Sequence, residues 1–337
     1  MTTLQCFAEA FWLMFLCRFF LGVFQSACNP PAYSIMSDYF HPQYRTTATS
    51  IYSFGIYLGG ALSSVSGIMI TGFGWRWTFG IMGIIGMVAG VLGLLLIKEP
   101  ERGTFDAPKK LDGPAVIKPS PLTQFVRACT EMFVNPTCRW ICVAGSFRFF
   151  GGYAIGYYMP SYFGNIPDYK DKYNTYLTLN AFVVSVGGFT SAIAGGFISD
   201  KLEKRIPTIK SWVCIFGSLL GCPMIAVCLL VQNNFAVSII FLFFEYLVAE
   251  CWTGPAITLL INAISPQNKG FAVSAYLFFA TLSGTLSTFL LGQFSDSYQL
   301  TLYPERYGYI LCAFVFFSYL GSIPFFYLAG RSYEDLL

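Results

Sequence analysis

The stretch PAYSIMSDYFHPQYRTTATSIYSFGIYLGGALSS (residues 31–64) recurs 224 residues later, without a gap, as PAITLLINAISPQNKGFAVSAYLFFATLSGTLST (255–288). Twelve of the 34 aligned positions are identical, whereas two unrelated apolar segments of ordinary composition would share roughly two to four. The basic residues Arg45 and Lys269 also occupy equivalent places in the two copies. The match favours an internal repeat over a coincidence of two apolar helix pairs, and this repeat defines the unit from which the fold is built.

The composition indicates whether the chain folds in water or in a membrane. Hydrophobic residues make up 55% of the 337 residues and charged residues only 11%, and the mean hydropathy is +0.59. Soluble domains carry about 25% charged residues, so we expect an integral membrane protein. The apolar stretches are long rather than short and alternating, which predicts an all-α polytopic fold. Nine predicted spans lie at 8–37, 46–71, 76–97, 139–163, 173–198, 207–231, 235–263, 268–292 and 308–329.

The distribution of lysine and arginine predicts the orientation. If the loops alternate between the two faces, fourteen of the 20 basic residues fall on one side and four on the other. The remaining two, Arg18 and Arg148, lie inside predicted spans. Cytoplasmic loops retain basic residues, so the C-terminus is expected in the cytoplasm. The organelle is left open.

The repeat and an odd number of spans together predict an incomplete symmetric fold. The 224-residue shift carries the first span onto the seventh, so the repeating unit is six helices. A fainter echo, GFISD (196–200) and GQFSD (292–296), recurs three spans apart, as in transporters built from inverted repeats. The chain is thus expected to hold nine of twelve helices and to lack the first three. The predicted units are a partial N-terminal bundle (1–97), a cytoplasmic linker with a short surface helix (98–138) and a six-helix C-terminal bundle (139–337).

Two motifs resemble those of the major facilitator superfamily. GGFISDKLEKR (195–205) is similar to the glycine, aspartate and basic loop motif of that family, and GWRWTFGIMG (74–83) is similar to the entry of the last helix of a half. The resemblance implies two six-helix halves that rock around a central cavity, and hence a secondary active transporter that works by alternating access. Within the superfamily, three further segments most resemble the Spinster-type lipid transporters: FWLMFLCRFFLGV (11–23), IKEPERG (97–103) and AECWTGPAITLLINAISPQNKGFA (249–272).

One departure from the Spinster pattern concerns proton coupling. The family has a glutamate three residues after the glycine that is here Gly22, whereas this chain has Gln25. An amide forms hydrogen bonds but does not release a proton. The resemblance therefore transfers a cavity role to Arg18 and leaves a coupling proton at this place open.

The loop motif supplies candidate gating residues. Gly195 and Gly196 allow two helices to approach closely, and Asp200 can hold either Arg205 or the neighbouring helix terminus. The alternative interpretation is a solvated turn that follows a span. The gating candidates in full are Gly195, Gly196, Asp200, Arg205, Arg45 and Lys269.

Polar residues inside the first span predict one wall of a cavity. Placing an arginine in a bilayer costs about 2.5–3.5 kcal/mol, so Arg18 requires a partner or water. Arg18, Gly22, Gln25 and Asn29 recur at i, i+4, i+7 and i+11, which places them on one helical face. Pro30-Pro31 then removes two backbone donors and should bend the helix.

Three further charges lie inside spans: Arg148, Glu245 and Glu250. The two glutamates are five residues apart, about 140° around a helix, so at most one should face the cavity centre. We favour Glu250, which adjoins Trp252. The charges either form an internal ion pair or bind an anionic head group through Arg148 and Arg18, with a glutamate that neutralises the empty site or titrates.

Other chemistry has little support in the sequence. His41 is the single histidine, the eleven cysteines form no C-x-x-C pair, and no phosphate-binding loop occurs. We expect no enzyme activity, cofactor, metal or nucleic-acid partner. The predicted partners are the lipid bilayer, a lysolipid-like or small organic anion and, left open, a coupling proton. A non-transporting membrane scaffold or an incomplete fragment of a transporter is the alternative.

Overall fold

A computed structural model describes residues 1–97, 121–300 and 303–336. The described residues form α-helices and shorter helical turns and contain no strand, as the sequence predicts. The α-helices are α1 (Phe11–Ser26), α2 (Asn29–Tyr39), α3 (Arg45–Leu96), α4 (Pro121–Val134), α5 (Pro136–Asn165), α6 (Pro167–Lys170), α7 (Tyr173–Phe182), α8 (Gly188–Leu202), α9 (Ile209–Leu230), α10 (Phe235–Ala249), α11 (Thr253–Asn262), α12 (Lys269–Ser297) and α13 (Glu305–Glu334).

Eight helical segments in the described residues are long and apolar enough to cross a membrane. They agree with eight of the nine predicted spans, whose ends shift by a few residues. The chain is therefore a multi-pass membrane protein. The eight segments are Phe11–Tyr33, Arg45–Ile70, Gly72–Leu96, Tyr173–Leu202, Ile209–Leu230, Phe235–Asn262, Pro266–Ser297 and Glu305–Glu334.

The ninth predicted span, 139–163, is the exception. It forms the 30-residue helix α5, but α5 is not among the eight segments of sufficient apolarity. Its polar residues are tolerated because α5 packs against both α12 and α13, so that protein rather than lipid surrounds residues such as Arg148. The count of nine remains a prediction.

The first predicted span is interrupted where the double proline begins. Helix α1 ends at Ser26, and α2 begins at Asn29 with the prolines in its first turn. Proline is tolerated there because the first helical N–H groups have no intrahelical acceptor. The helix is thus interrupted at Ala27 and Cys28, just before Asn29 and the prolines.

A kink rather than a loop separates the second and third predicted spans. Gly74 has φ 78° and ψ 161° inside α3. Glycine adopts this backbone conformation without the steric cost of a side chain, which explains the glycine that opens the GWRW motif. Both predicted spans are present, as Arg45–Ile70 and Gly72–Leu96, and the kink at Gly74 lies between their predicted bounds.

The two copies of the repeat share their local structure. A three-residue 3-10 turn, Pro42–Tyr44, precedes α3, and its counterpart Pro266–Asn268 precedes α12. Each following helix begins at the basic residue of its copy, Arg45 or Lys269. The 224-residue shift therefore relates structure as well as sequence.

The helix predicted in the linker is α4, and it packs on the C-terminal bundle. Met132 is fully buried in a cluster that includes residues of α5, α11 and α12. The rings of Phe125 and Phe271 lie 5.5 Å apart, and those of Phe133 and Phe279 lie 6.0 Å apart. Part of the predicted linker thus belongs to the packed bundle, while residues 98–120, including most of IKEPERG, lie outside the described residues.

Candidate functional site

Arg148 occupies the centre of a buried polar cluster in the C-terminal bundle. It projects from α5 and is only 2% exposed. Its Nη2 atom donates to the carbonyl oxygen of Ala249 at 2.7 Å. The guanidinium carbon lies 3.9 Å from the ring centre of Tyr319 and 5.1 Å from that of Trp252. Two aromatic faces and a carbonyl therefore stabilise the buried charge.

The acceptor of this bond lies at a break in the helix after α10. Helix α10 ends at Ala249, a 3-10 turn covers Glu250–Trp252, and α11 begins at Thr253. Pro255 has no N–H group to bond the carbonyl of Cys251 within this turn. The Ala249 carbonyl that accepts from Arg148 is thus the last one before the helix changes to a 3-10 turn.

The two intramembrane glutamates take different places around Arg148. Glu250 Oε1 lies 3.9 Å from Arg148 Nη2, and the Glu250 side chain is 19% exposed. Glu245 is 1% exposed and accepts a hydrogen bond from the Tyr319 hydroxyl. Glu250 is thus the more accessible carboxylate and pairs with Arg148 at the limit of ion-pair distance, while Glu245 lies behind the tyrosine.

Tyr57 joins this cluster from the first half of the chain. It is 4% exposed in α3, and its hydroxyl lies 3.0 Å from Glu250 Oε2 and 3.1 Å from the Glu250 carbonyl oxygen. Tyr57 and Tyr319 were both missed by the sequence reasoning. Neither carries a charge or interrupts a helix, and the spans contain many other tyrosines.

The guanidinium of Arg148 retains hydrogen-bonding capacity. Its Nε and Nη1 atoms are buried and have no hydrogen-bond partner among the described residues. Guanidinium presents its donors as a planar fork that matches carboxylate and phosphate oxygens. The unpaired donors of Arg148 are therefore chemically suited to the oxygen atoms of an anion.

The other predicted cavity residues lie apart from this cluster. Arg18 and Gln25 are exposed on α1, and the Arg18 guanidinium carbon lies 5.2 Å from the ring centre of Phe79. Asn29 is half-buried and accepts a hydrogen bond from the Tyr52 hydroxyl at 3.0 Å. In the described ranges, no hydrogen bond or ion pair links Arg18 to the cluster. The structure thus unites Arg148, Glu245, Glu250 and Trp252 but not the residues of α1.

Asp200 contacts the neighbouring helix terminus. Its Oδ2 atom accepts from the Thr47 backbone N–H at 2.8 Å and from the Thr47 hydroxyl at 2.7 Å. Thr47 lies in the first turn of α3, where N–H groups lack helical acceptors and the helix dipole favours a negative charge. Arg205 is exposed and forms no ion pair with Asp200 in the part of the chain that the structure describes.

The paired glycines bring α8 close to two other elements. A Cβ atom at Gly195 would lie 2.7 Å from Cys251 Cβ, and one at Gly196 would lie 2.6 Å from Ser50 Oγ. Cys251 belongs to the turn that carries Glu250, and Ser50 belongs to α3. The glycines therefore permit α8 to pack between α3 and this turn.

The remaining basic candidates are buried near the same ends of the helices. Arg45 is 5% exposed and donates from Nη1 to Asn262 Oδ1 at 3.1 Å. Lys269 is 4% exposed at the start of α12. Sequence reasoning did not select Lys210, which is buried and pairs with Glu203.

Outside the spans, Glu131 of α4 holds the turn before α12. Its carboxylate accepts from the Ser265 backbone N–H at 2.6 Å, from the Ser265 hydroxyl at 2.7 Å and from the Asn268 amide. Burial raises the pKa of Glu131, but the hydrogen bonds from Ser265 and Asn268 outweigh it, so the pKa lies below its ordinary value.

Comparison with solved structures supports the fold. The chain aligns over 99% of its length, and over 81% of the other chain, with an inward-facing, unoccupied bacterial homolog of the human lysosomal transporter Spinster. The TM-score is 0.61 and the sequence identity is 21%. At this identity the likeness shows the fold alone.

Curated relatives include three informative proteins. "Protein spinster" of Drosophila melanogaster is 26% identical over 88% of this chain and 49% of its own length. An "MFS-type efflux pump" of Mycolicibacterium smegmatis is 22% identical over 100% of this chain and 76% of its own length. "Sphingosine-1-phosphate transporter SPNS2" of Mus musculus is 24% identical over 96% of this chain and 62% of its own length. The chain thus spans about half to two thirds of the length of the Spinster relatives.

A family model covers most of the chain. The model of the Major Facilitator Superfamily matches residues 1–288, which include both copies of the repeat, the Asp200 motif and, from the buried cluster, Arg148, Glu245, Glu250 and Trp252. This is a family of transporters and not of enzymes. On the evidence of its fold, its repeat and this match, the chain belongs to the Major Facilitator Superfamily.

Proposed function

We propose that this chain forms the substrate-binding part of a secondary active transporter for an anionic, lipid-like substrate. The observation that carries the proposal is Arg148: a buried arginine with two nitrogen atoms, Nε and Nη1, that no described residue satisfies. An arginine retained in the bilayer requires a compensating group, and a phosphate or carboxylate head group supplies oxygen atoms in the geometry that guanidinium binds.

The aromatic side chains favour an amphiphile over a small polar anion. Trp252 and Tyr319 flank Arg148, and Phe149 lies 5.9 Å from Trp252 between ring centres. Rings next to the charge would contact the acyl chain of a substrate whose anionic head group reaches Arg148. The relatives named for sphingosine-1-phosphate support the same substrate class. A small organic anion would use Arg148 alone.

Contacts between the two halves support alternating access. Asp200 holds the first turn of α3, and Tyr57 of α3 binds Glu250. Both contacts join the first half of the chain to the second, so rocking of the halves would break and reform them. The C-terminus faces the cytoplasm in this proposal, as the basic loops predict.

Proton coupling, where it occurs, belongs to the carboxylates of the cluster rather than to Gln25. Glu245 and Glu250 are the acidic side chains beside Arg148, and a carboxylate exchanges a proton where an amide does not. Uptake driven by an imposed pH gradient, in the wild type and in Gln25→Glu, measures whether position 25 adds a coupling group.

The test is transport by reconstituted protein. We expect wild-type proteoliposomes to move sphingosine-1-phosphate or lysophosphatidic acid but not a neutral monoacylglycerol. Arg148→Ala should reduce flux at subsaturating substrate at least about tenfold, because hydrogen bonds to charged groups contribute more than about 1.5 kcal/mol. Arg139→Ala, which removes an exposed arginine at the start of the same helix, serves as the control and should keep wild-type flux.

Three results would decide against parts of the proposal. Equal flux by Arg148→Ala and the wild type would remove Arg148 from the binding site. Movement of citrate in place of the lysolipids would replace the amphiphile by a small organic anion. Failure of the folded wild type to move either class would favour a membrane scaffold.

A further inference from the structure

Tyr57 contacts the Arg148–Glu250 ion pair from the opposite half of the chain. Its hydroxyl lies within hydrogen-bond distance of two Glu250 oxygens, the carbonyl at 3.1 Å and Oε2 at 3.0 Å. A phenol has one proton to donate, and a carboxylate is the stronger acceptor. The Tyr57 hydroxyl therefore donates to Glu250 Oε2, while Oε1 is the carboxylate oxygen nearer to Arg148.

This bond competes with Arg148 for Glu250. The nearest approach of the Glu250 carboxylate to the guanidinium is 3.9 Å, longer than the 2.7–2.9 Å of a charge-assisted hydrogen bond. Arg148 Nη2 instead donates to Ala249, and Nε and Nη1 have no partner in the described part of the chain. Glu250 thus neutralises the charge of Arg148 at a distance of 3.9 Å without forming a hydrogen bond to the guanidinium.

The position of Tyr57 is itself determined by close packing. A Cβ atom at Gly188 of α8 would come within 3 Å of the Tyr57 ring, and Tyr57 is 4% exposed. The hydroxyl therefore reaches Glu250 only while α3 lies against α8 and the turn after α10. A change in the relation of α3 to these elements would withdraw the hydroxyl from the carboxylate.

We propose that Tyr57 is a positioning residue that holds Glu250 away from Arg148 and so leaves the guanidinium donors unpaired and ready for an anion in this conformation. When α3 moves away, Glu250 is free to turn its carboxylate onto the guanidinium and to displace a bound anion. Affinity for the anion is thereby coupled to the relation of the two halves. This inference rests on the proposed function, because it assigns the anion site to Arg148.

The first test compares anion affinity in Tyr57→Phe and the wild type. We expect lysophosphatidic acid to bind Tyr57→Phe in nanodiscs at least about tenfold more weakly, as the loss of one hydrogen bond to a charged group implies. Tyr158→Phe is the matched control. It loses a tyrosine hydroxyl bond to the carbonyl of Thr288, within the C-terminal bundle, and should bind within about twofold of the wild type.

A second comparison separates positioning from packing. If Tyr57 acts through Glu250, Tyr57→Phe should change the dissociation constant less than about twofold in a Glu250→Gln background. Gly188→Ala displaces the same ring from the α8 side and should weaken binding in the direction of Tyr57→Phe. This second variant keeps the test decisive should Tyr57→Phe fail to fold.

The outcomes distinguish the inference from the function on which it rests. Unchanged affinity in Tyr57→Phe, with loss of binding in Arg148→Ala, overturns the role of Tyr57 and leaves the anion site in place. An equal loss in the Glu250→Gln background also overturns it, because the tyrosine would then act directly or through packing. Absence of lysophosphatidic acid binding by the folded wild type would refute the proposed function itself.

Discussion

Two arginines lie in predicted membrane spans, where a charge is energetically unfavourable, and the structure gives them different surroundings. Arg148 is enclosed by Tyr319, Trp252 and the Ala249 carbonyl. Arg18 is exposed on α1 and lies over one aromatic ring, that of Phe79. The first environment compensates part of the charge within the protein and leaves Nε and Nη1 without a partner among the described residues, while the second requires water, a head group or a ligand.

Arg18 therefore provides a test at the residue scale. We expect Arg18→Ala to abolish lysophosphatidic acid flux in proteoliposomes while expression and melting temperature stay close to the wild type, because an exposed cation–π contact contributes only about 0.5–1 kcal/mol. Arg18→Lys keeps the charge but loses the bidentate fork, and its flux should lie between the two. Wild-type flux in Arg18→Ala would exclude the predicted cavity role.

The sequence draws attention to residues that break a rule. A charge in an apolar run selected Arg148, Glu245 and Glu250, which the structure brings together, but it also selected Arg18, which lies apart from them. The glycine pair with an aspartate indicated the contact of α8 with a neighbouring helix end, which is that of α3. Tyr57 and Tyr319 are uncharged aromatic residues in membrane helices, so nothing in the surrounding sequence distinguishes them from the other tyrosines. Their roles arise only from helix packing, which the sequence of one chain does not encode locally.

At the scale of elements, α4 is attached to the C-terminal bundle by hydrogen bonds at its end. Glu131 holds Ser265 and Asn268. Asn135 donates to the Ala263 carbonyl oxygen at 2.6 Å and accepts from the first N–H groups of α5. The segment between the halves therefore includes one helix that is hydrogen-bonded to the turn between α11 and α12.

The Glu131 contact should depend on pH. Its pKa is lower in the folded protein than in the unfolded chain, so the stabilisation is complete above the ordinary carboxyl pKa of about 4.3 and is lost as the pH falls through the lower folded value. We expect the melting temperature of the wild type in nanodiscs to exceed that of Glu131→Gln by a constant amount from pH 7 to about 5. The difference should shrink below about pH 4.

Glu334→Gln is the control for this measurement, because Glu334 is exposed near the C-terminus. It should melt at the wild-type temperature throughout the same range. A difference between the wild type and Glu131→Gln that persists undiminished to pH 3 would show that the ionised carboxylate does not hold the turn.

At the scale of the whole molecule, hydropathy and the repeat predicted most of the architecture. Eight apolar helices and the equivalent turns at Pro42–Tyr44 and Pro266–Asn268 follow from local sequence. The kink at Gly74 did not, because a glycine between apolar runs is compatible with a loop or a bend. Helix α5 is less apolar than the eight segments and packs against α12 and α13. A hydropathy average along the sequence does not report whether protein or lipid surrounds a helix.

The contact between the halves at Asp200 gives a prediction at this scale. We expect Asp200→Ala to raise hydrogen–deuterium exchange in the first turn of α3, because the Thr47 amide loses its acceptor. Asp296→Ala, in the corresponding GQFSD segment, removes an exposed carboxylate and is the matched control. Equal exchange in both variants and the wild type would mean that Asp200 does not stabilise this helix end.

The Asp200 contact also has an evolutionary consequence. One of its two hydrogen bonds comes from the backbone of Thr47 and persists whatever side chain stands at position 47, except that of proline. Drift at that position therefore weakens the bond between the halves without abolishing it, while a change at position 200 removes both interactions at once. Selection acts unequally on the two partners: the aspartate is expected to persist among related sequences, and the residue that faces it is expected to vary among small polar and apolar types.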